Sequence, residues 1–293
     1  MLANSLDYYL LDVFTERAFA GNPLAVFPHA QELDTGRMQA IANELNLSET
    51  VFVDRMQEVN RYPMRIFTPA QELPFAGHPT VGTAHLLTEL ELASREWPLI
   101  LEAKAGPLEV RFEDGLARFT TPRPVEIDIS TLDRVAAAEL LGLNKSQIVG
   151  EPVLASCGLA YHLIELDSLV TLGQAMPAPA PWARSVSPSG IDNLYLYVST
   201  AHNERGDTLR ARMFSMEGSL REDPATGSAA AALVGVLATH RPGAGKWQCR
   251  IDQGVEMGRP SRILGEVERD ANLNTAIRIA GRSVIVGRGT LRR

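Results

Sequence analysis

The stretch Asp223-Pro224-Ala225-Thr226-Gly227-Ser228-Ala229 opens a segment of nearly pure Ala, Leu and Val that runs to about His240. The composition predicts a helix that is apolar on almost every side, and such a helix must be enclosed by other structure. A mostly antiparallel sheet curled around the helix would enclose it. The stretch therefore indicates a strand-rich shell around a central helix.

A similar stretch, His78-Pro79-Thr80-Val81-Gly82-Thr83-Ala84, lies in the first half of the chain, and its residue numbers differ by 145 (223 − 78), about half of 293 residues. In both copies a predicted strand that ends in Phe-Thr or Phe-Ser comes shortly before, and an apolar helix follows. We therefore predict a mixed α+β fold of two pseudo-symmetric halves. Each half would be a mostly antiparallel curled sheet or barrel around a central helix.

The length of 293 residues exceeds the usual size of one hydrophobic core, which favours two domains. Pro122 and Pro124 follow a predicted strand and mark a boundary between them. We predict an N-terminal domain over residues 1–124 and a C-terminal domain over residues 125–293. Whether the last strand, about 282–293, packs back on the first domain stays open.

Composition excludes several classes of protein. The chain is 45% hydrophobic and 22% charged with a net charge of −7, and it has no run of basic residues, which argues against a nucleic-acid partner. Residues 1–14 lack the pattern of a signal peptide, and the longest apolar run, Ala229–Ala238, is too short to span a bilayer. We expect a cytoplasmic protein without a membrane partner.

Neither a metal nor a cofactor is expected. The two cysteines, Cys157 and Cys249, lack CxxC spacing and a neighbouring His cluster, so buried inert thiols are the simplest interpretation. The histidines show no HExxH pattern. The Gly-rich signatures of dinucleotide and nucleoside-triphosphate binding are missing as well.

The two predicted helix starts suggest an anion site. A helix start carries unpaired backbone N–H groups and the positive end of the helix dipole, so it can hold a carboxylate without Lys or Arg. Gly77, Gly82 and Gly227 lack a Cβ and would let a ligand approach the backbone. Two such starts that face a cleft between the halves would bind a small anionic molecule.

Glu49 is the candidate base. A helix capped by Asp34 or Thr35 is predicted to stop at Asn46, and a strand begins at Thr50, so Glu49 lies in the junction between them. Junctions of this kind often display functional side chains. The alternative is an ordinary solvated carboxylate.

The residues at the helix starts also have structural interpretations. Asp223 before Pro224 would be a good N-cap, and His78 could be a packed histidine. Ser228 and Thr83 could be simple caps. The alternative interpretation is catalytic, because proton transfer needs a base, polar partners and hydrogen-bond donors. Glu49 would be the base, His78 and Asp223 the polar partners, and the backbone of Gly227 and Ser228 the donors.

Several motifs together resemble the PhzF-like family, named for the phenazine-biosynthesis isomerase, from Leu11 to Gly289. They are Asn43–Thr50, Phe67–Pro69, Glu72–Pro79, Glu222–Ala229 and Gln253–Ser261. The family has the diaminopimelate epimerase fold of two pseudo-symmetric halves. The resemblance implies that Glu49 moves a proton on a small carboxylate-bearing metabolite, as in the phenazine enzyme, with no cofactor.

The resemblance also assigns roles to the other motif residues. It implies His78 and Asp223 as catalytic partners of Glu49. Gly227 and Ser228, with Gly77 and Thr226 beside them, would bind the substrate. Related enzymes are often dimers, which makes a homodimer an expectation here.

The chain departs from part of the fold family in one respect. Diaminopimelate epimerase and proline racemase use two cysteines at the helix starts, where this sequence has His78 and Asp223. This disfavours a two-thiol racemase and favours a single-base proton shift. Three hypotheses stay open: an isomerase or tautomerase, an amino-acid racemase or epimerase, and a protein that binds or senses a small anion without catalysis.

Overall fold

The chain folds mainly into strands, with a few helices between them. The computed structural model describes residues 5–203, 206–217 and 219–292. The strands are β1 (Ser5–Val13), β2 (Asn22–Phe27), β3 (Glu49–Val53), β4 (Arg61–Phe67), β5 (Glu72–Leu73), β6 (Leu99–Ala103), β7 (Gly106–Glu113), β8 (Leu116–Thr120), β9 (Glu126–Ile129), β10 (Ile148–Ser156), β11 (Ala160–Leu166), β12 (Asn193–Asn203), β13 (Gly206–Glu217), β14 (Ser219–Asp223), β15 (Gly245–Gln253), β16 (Ser261–Arg269), β17 (Thr275–Gly281) and β18 (Ser283–Arg292). The α-helices are α1 (Thr35–Leu45), α2 (Gly77–Glu89), α3 (Arg134–Leu141), α4 (Leu169–Gln174), α5 (Pro179–Ser185) and α6 (Gly227–Thr239), and single 3₁₀ turns occur at Lys145–Gln147 and Ser187–Ser189.

The chain divides into two compact units. The first consists of Met1–Pro122 and Ile279–Arg293, and the second of Arg123–Arg278. The chain therefore passes from one unit to the other between Pro122 and Arg123, and passes back within β17. The last strand, β18, pairs antiparallel with β1.

The first unit is built on a mixed sheet in which antiparallel pairs predominate. β1 pairs antiparallel with β2, β2 pairs parallel with β3, and β3 pairs antiparallel with β4. The short β5 lies antiparallel on β4, which also pairs parallel with β6, and β6, β7 and β8 continue as an antiparallel meander. Helix α1 makes the first parallel crossover, from β2 to β3, and helix α2 makes the second, from β4 to β6.

The second unit repeats this order of pairings. β10 pairs antiparallel with β11, β11 parallel with β12, and β12 antiparallel with β13. The short β14 lies antiparallel on β13, which pairs parallel with β15, and β15 pairs antiparallel with β16. Helix α6 follows β14 as α2 follows β5. The two pseudo-symmetric halves predicted from the repeated motif are thus present in the strand pairing, and the mixed fold class is confirmed.

The two repeated helices are the buried centres of their units. Every residue of α2 from Gly77 to Leu87 is buried, and so is every residue of α6 from Gly227 to Val236. Helix α2 contacts β1, β2, β3, β6, β7, β8 and β18, and helix α6 contacts β10, β11, β15 and β16. The prediction of an enclosed apolar helix is confirmed.

Helix α1 begins and ends where the sequence predicts. The Asp34 carboxylate accepts a hydrogen bond from the Arg37 N–H and caps the start of the helix. Asn46 takes the left-handed conformation at the end, with φ of 51°. Beneath this helix Phe27 stacks on Phe52 at 4.9 Å between ring centroids, and Phe52 meets the edge of Phe67 at 5.6 Å. These contacts fix the position of β3, the strand that Glu49 begins.

Two local predictions are wrong. The alternating prolines of residues 176–181 predict an extended surface loop, but Pro179 begins helix α5. Proline is well tolerated in a first helical turn, where its missing N–H would have no partner. Asp223 is not an N-cap either, since α6 begins at Gly227 and the residue before it is Thr226.

The two copies of the motif also start their helices at different positions. Helix α2 begins at Gly77, one residue before His78, whereas α6 begins four residues after Asp223. His78 is therefore on the helix, and Asp223 is on the turn that leads to one. No helix within the described ranges has the length and apolar character needed to cross a membrane.

Candidate active site

Glu49 and His78 lie in contact in the first unit. Glu49 is the first residue of β3, and His78 is in the first turn of α2. The Glu49 Oε2 atom is 3.1 Å from the His78 Nδ1 atom, and their side chains are 16% and 4% exposed. The sequence predicts Glu49 in the junction before a strand that begins at Thr50. In the structure the strand begins one residue earlier, at Glu49 itself. The structure brings together these two predicted catalytic residues.

The His78 ring is neutral at ordinary pH. Burial lowers the pKa of His78 to about 3, and the nearby Pro23 backbone carbonyl opposes this only in part. A neutral imidazole carries one N–H and one acceptor nitrogen. The 3.1 Å separation between Nδ1 and the carboxyl oxygen brings the two atoms within reach of one shared proton, which would be on Nδ1 when Glu49 is a carboxylate and on Glu49 when it is an acid.

Asn22 is the third member of this cluster. Its side chain is fully buried, and its Nδ2 atom is 3.3 Å from the same His78 Nδ1 atom. The His78 Nε2 atom is also buried, and it has no hydrogen-bond partner among the described residues. Asn22 begins β2, directly after the turn residue Gly21, and the sequence indicated only turn chemistry at this position. The backbone of this turn holds a buried amide beside the catalytic candidates.

Asp223 and Thr226 form the corresponding polar cluster in the second unit. Asp223 ends β14, and its Oδ2 atom accepts a hydrogen bond of 2.5 Å from the Thr226 hydroxyl. The buried Gln253 side chain bonds both residues: Nε2 donates to the Asp223 carbonyl at 2.8 Å and to the Thr226 hydroxyl at 3.1 Å. Its Oε1 atom accepts from the Thr226 N–H at 3.2 Å. The turn before α6 is therefore fixed at both ends by one side chain.

Ser228 is held from the sheet below it. Its hydroxyl is 2.6 Å from the Tyr161 hydroxyl, and both side chains are buried. Ser228 is the second residue of α6, and the N-cap residue Thr226 makes no side-chain cap to the helix. The first-turn N–H groups of α6 are thus not capped by this threonine, which suits a helix start that binds an anion.

The glycines have different uses. Gly77 and Gly227 are the first residues of α2 and α6, as expected of residues at the helix starts. Gly82 lies in the middle of α2, where a Cβ would come within 2.5 Å of Leu24 Cδ2 and 2.8 Å of Val13 Cγ2. Its missing side chain lets α2 pack closely on β1 and β2, so the prediction that it opens the backbone to a ligand is wrong.

The thiols are placed as the sequence suggests. Cys157 and Cys249 are both free and buried. Burial raises the pKa of each thiol to about 12, since the charged form loses its hydration. Neither thiol has the character of a base or nucleophile at neutral pH. Within the described ranges no three His, Cys, Asp or Glu side chains are grouped so as to hold a metal ion.

Sequence reasoning missed the buried polar residues that support the candidates. Gln253 lies within a motif quoted for the resemblance, but no role followed from it. Asn22 carried only a turn signal, and Tyr161 and Tyr195 carried no signal beyond β propensity, because the contacts they make join residues far apart in the chain. Whether the clusters of the two units share one cleft stays a prediction.

Comparison with known proteins identifies the family. A family model described as phenazine biosynthesis-like protein matches residues 11–289. The chain belongs to this family. The expected resemblance is confirmed over nearly its whole length.

Several relatives are named as isomerases. The chain is 39% identical to an uncharacterized isomerase of Mesorhizobium japonicum, over 97% of this chain and 98% of that protein. It is 35% identical to trans-2,3-dihydro-3-hydroxyanthranilate isomerase of Pseudomonas aeruginosa, over 96% and 98% of the two chains. Curated relatives of this family member are thus named isomerases.

Solved structures show the same fold. A PhzF-family phenazine biosynthesis protein of Bacillus anthracis superposes with a TM-score of 0.88 at 23% identity, over 99% of both chains. A hydroxyproline epimerase from Agrobacterium vitis gives a TM-score of 0.62 at 13% identity, over 99% of this chain and 93% of that one. The fold is therefore common to PhzF proteins and to an epimerase.

Proposed function

We propose that this protein is a cofactor-independent isomerase that acts on a small carboxylate-bearing metabolite through a proton moved by Glu49. The observation that carries the proposal is the 3.1 Å contact between Glu49 and His78. The short separation would let either charge state of Glu49 use His78 as a partner: the carboxylate would accept from Nδ1–H, and the acid would donate to an unprotonated Nδ1. A group that takes up a proton and later returns it needs a stable environment in both states.

The chemistry needs no external electron acceptor. Glu49 removes a proton from a carbon of the substrate, the electron pair of that C–H bond shifts a double bond, and the same carboxyl returns the proton to another carbon. The step leaves the composition of the substrate unchanged, as isomerisation requires.

Substrate binding is proposed at the start of α6. The N–H groups of Gly227 and Ser228 would hold the substrate carboxylate, with Thr226 beside them and Gly77 at the start of α2. A helix start binds a carboxylate through unpaired N–H groups and the dipole, so no Lys or Arg is required. Asp223 would be a polar catalytic partner on the same substrate molecule, as the family resemblance implies.

The names of the relatives supply the first compound to test. We propose trans-2,3-dihydro-3-hydroxyanthranilate and a panel of small amino and hydroxy acids as candidate substrates. Each would be incubated with the protein in D₂O and followed by NMR. We expect deuterium to enter a C–H position of at least one compound, because a proton-transfer enzyme exchanges the proton it carries with solvent over repeated turnovers.

Replacement of Glu49 tests the assigned base. Glu49→Gln should lower the exchange rate by about 10²–10⁴-fold, the usual contribution of a general base. Glu44→Gln is the matched control, since Glu44 is exposed on α1 and should leave the rate unchanged. Equal rates for the wild type and Glu49→Gln would remove Glu49 from this role.

The same experiment separates the alternatives. A protein that binds a small anion without catalysis would show ligand-induced NMR shifts and no deuterium incorporation. A two-thiol racemase would lose exchange in a Cys157→Ala/Cys249→Ala variant. The raised pKa of both thiols favours full activity in that variant.

A further inference from the structure

Gln253 uses its whole hydrogen-bonding capacity on the turn before α6. The residue is the last of β15 and is 0% exposed. Oε1 accepts from the Thr226 N–H and from the Tyr195 hydroxyl, the latter at 3.0 Å. Nε2 donates to the Asp223 carbonyl and to the Thr226 hydroxyl. A side-chain amide has two donor hydrogens and two acceptor positions, and all four are occupied here.

The partners leave only one orientation for this amide. The backbone N–H of Thr226 can only donate, so the atom facing it must be the amide oxygen. The backbone carbonyl of Asp223 can only accept, so the atom facing it must be the amide nitrogen. Rotation of the amide by half a turn would place the amide nitrogen against the Thr226 N–H and the amide oxygen against the Asp223 carbonyl. A donor would then face a donor, and an acceptor would face an acceptor.

This fixed orientation determines which way the Thr226 hydroxyl donates. The hydroxyl accepts from Gln253 Nε2 and therefore directs its own hydrogen to the other partner, Asp223 Oδ2, 2.5 Å away. Each group in the series therefore donates to the next: Tyr195 to Gln253, Gln253 to Thr226, and Thr226 to Asp223. At the end of the series Asp223 must accept, which it does best as a carboxylate.

We infer that Gln253 is a positioning residue that presents Asp223 as a hydrogen-bond acceptor and holds the Thr226 end of the substrate-binding turn. The inference rests on the proposed function for its role in turnover, but the hydrogen-bond order itself does not. Gln253 lies 30 residues from Asp223 in sequence and acts through Thr226.

Neighbouring residues hold the Gln253 side chain in its position against the turn. Gly254 follows with φ of +71°, and a Cβ there would come within 2.5 Å of the Pro224 carbonyl oxygen. Any other residue at this position would push β15 away from the turn. Burial raises the pKa of Tyr195 far above its usual range, so its hydroxyl keeps the proton that it donates to Gln253.

Tyrosines and charged side chains of β11 to β14 surround Asp223. Tyr195 on β12 and Tyr161 on β11 are buried on one face of the sheet, because Tyr195 pairs with Leu163, two residues after Tyr161. The ion pair of Arg212 with Glu222 lies on β13 and β14, with Glu222 next to Asp223 and hence on the opposite face. Arg221, two residues before Asp223 on β14, is on the same face as Asp223, so it joins Tyr195 and Tyr161 as a charged or titratable group on that face.

The test is a ¹³C NMR titration of the free protein with labelled aspartate, in which Asp223→Asn assigns the signal. Gln253→Glu keeps the shape but replaces the donor Nε2 with an acceptor oxygen. Thr226→Val removes only the hydroxyl. In both variants we expect the Asp223 signal to titrate about one pH unit higher than in the wild type, because the charged form loses a hydrogen bond.

Thr226→Ser and Tyr161→Phe are the matched controls. The serine hydroxyl should restore the wild-type titration, and Tyr161 bonds Ser228 rather than Gln253, so its variant should titrate as the wild type does. An unchanged Asp223 titration in both Gln253→Glu and Thr226→Val overturns the inference. If Gln253→Glu does not fold, Thr226→Val against Thr226→Ser decides alone.

Kinetics then separate this inference from the proposed function. With a compound that exchanges deuterium, Gln253→Glu should lower kcat by about 10²-fold, the cost of a misplaced catalytic group, with a smaller change in KM. Full activity of Glu49→Gln would contradict the proposed function and leave the titration result valid. A normal titration in Gln253→Glu and Thr226→Val, with Glu49→Gln inactive, would contradict only the inference about Gln253.

Discussion

The His78 Nδ1 atom has two neighbours that compete for it, Glu49 and Asn22. When Nδ1 carries the proton, Glu49 accepts it and Asn22 must present its oxygen. When Nδ1 is the acceptor, the Asn22 amide can donate to it. Because an amide can serve either tautomer, Asn22 stabilises the ring without choosing one proton position. A carboxylate in the place of Asn22 would favour the His78 tautomer that carries the proton on Nδ1.

Asn22→Asp should therefore trap the proton on Nδ1 and direct it away from Glu49. We expect deuterium exchange to fall by roughly tenfold or more, since the partner that assists acid–base transfer at Glu49 is lost. The ¹⁵N shifts of the His78 ring report the tautomer without any substrate. Identical ring shifts and exchange rates in the wild type and the variant would contradict this role for Asn22.

At the level of single residues, the sequence indicated the candidate catalytic groups but not the residues that contact them. His78 and Asp223 stood out because they recur before proline in the repeated motif, and Glu49 stood out at the junction between a predicted helix and strand. Gln253, Tyr161 and Asn22 did not, because each is bonded to a residue 30 to 67 positions away. A contact of that separation depends on strand register, which a motif does not specify.

At the level of elements, the central helices were predicted and their starts were not. Apolar composition identified α2 and α6 as enclosed helices, but both carry an X-Pro pair that is compatible with a helix start at more than one position. In α2 the proline fits into the first turn. Before α6 the Gln253 side chain, which belongs to β15, bonds Asp223 and Thr226 on either side of Pro224. Pro224 is therefore held in a turn instead of in the helix.

The close packing of α2 makes a stability prediction. Gly82→Ala should destabilise the protein by about 1–3 kcal/mol, because the new methyl group would overlap the Leu24 and Val13 side chains. Gly173→Ala in α4 is the control, since a Cβ there meets nothing within 4 Å. That change should stabilise by about 0.4–1 kcal/mol through helix propensity and the unfolded chain. Chemical denaturation of the two variants measures both effects, and equal stabilities would contradict the packing argument.

At the level of the whole molecule, buried histidines should couple folding to pH. Burial lowers the pKa of His78, His85 and His162, so below about pH 6.5 the unfolded chain binds protons that the folded chain does not. Stability conferred by these neutral rings is complete above that pH and is lost as the pH falls toward their folded values. For His78, with a folded pKa of about 3, the loss reaches about 2 kcal/mol at pH 5.

The midpoint of thermal unfolding should accordingly fall between pH 7.5 and pH 5, at constant ionic strength. His162 is the residue to replace, because it belongs to the second unit, whereas the candidate base belongs to the first, and it is held by the hydroxyls of Ser130 at 2.7 Å and Ser189 at 3.3 Å. His162→Gln should flatten the dependence on pH, whereas His29→Gln, at an exposed position, is the matched control. The lowered pKa values of Glu72, Glu268 and Asp270 affect stability only near and below pH 4.5, so they do not account for a change in this range. An unfolding midpoint that stays constant from pH 7.5 to pH 5 would show that the buried rings take up protons without cost to the fold.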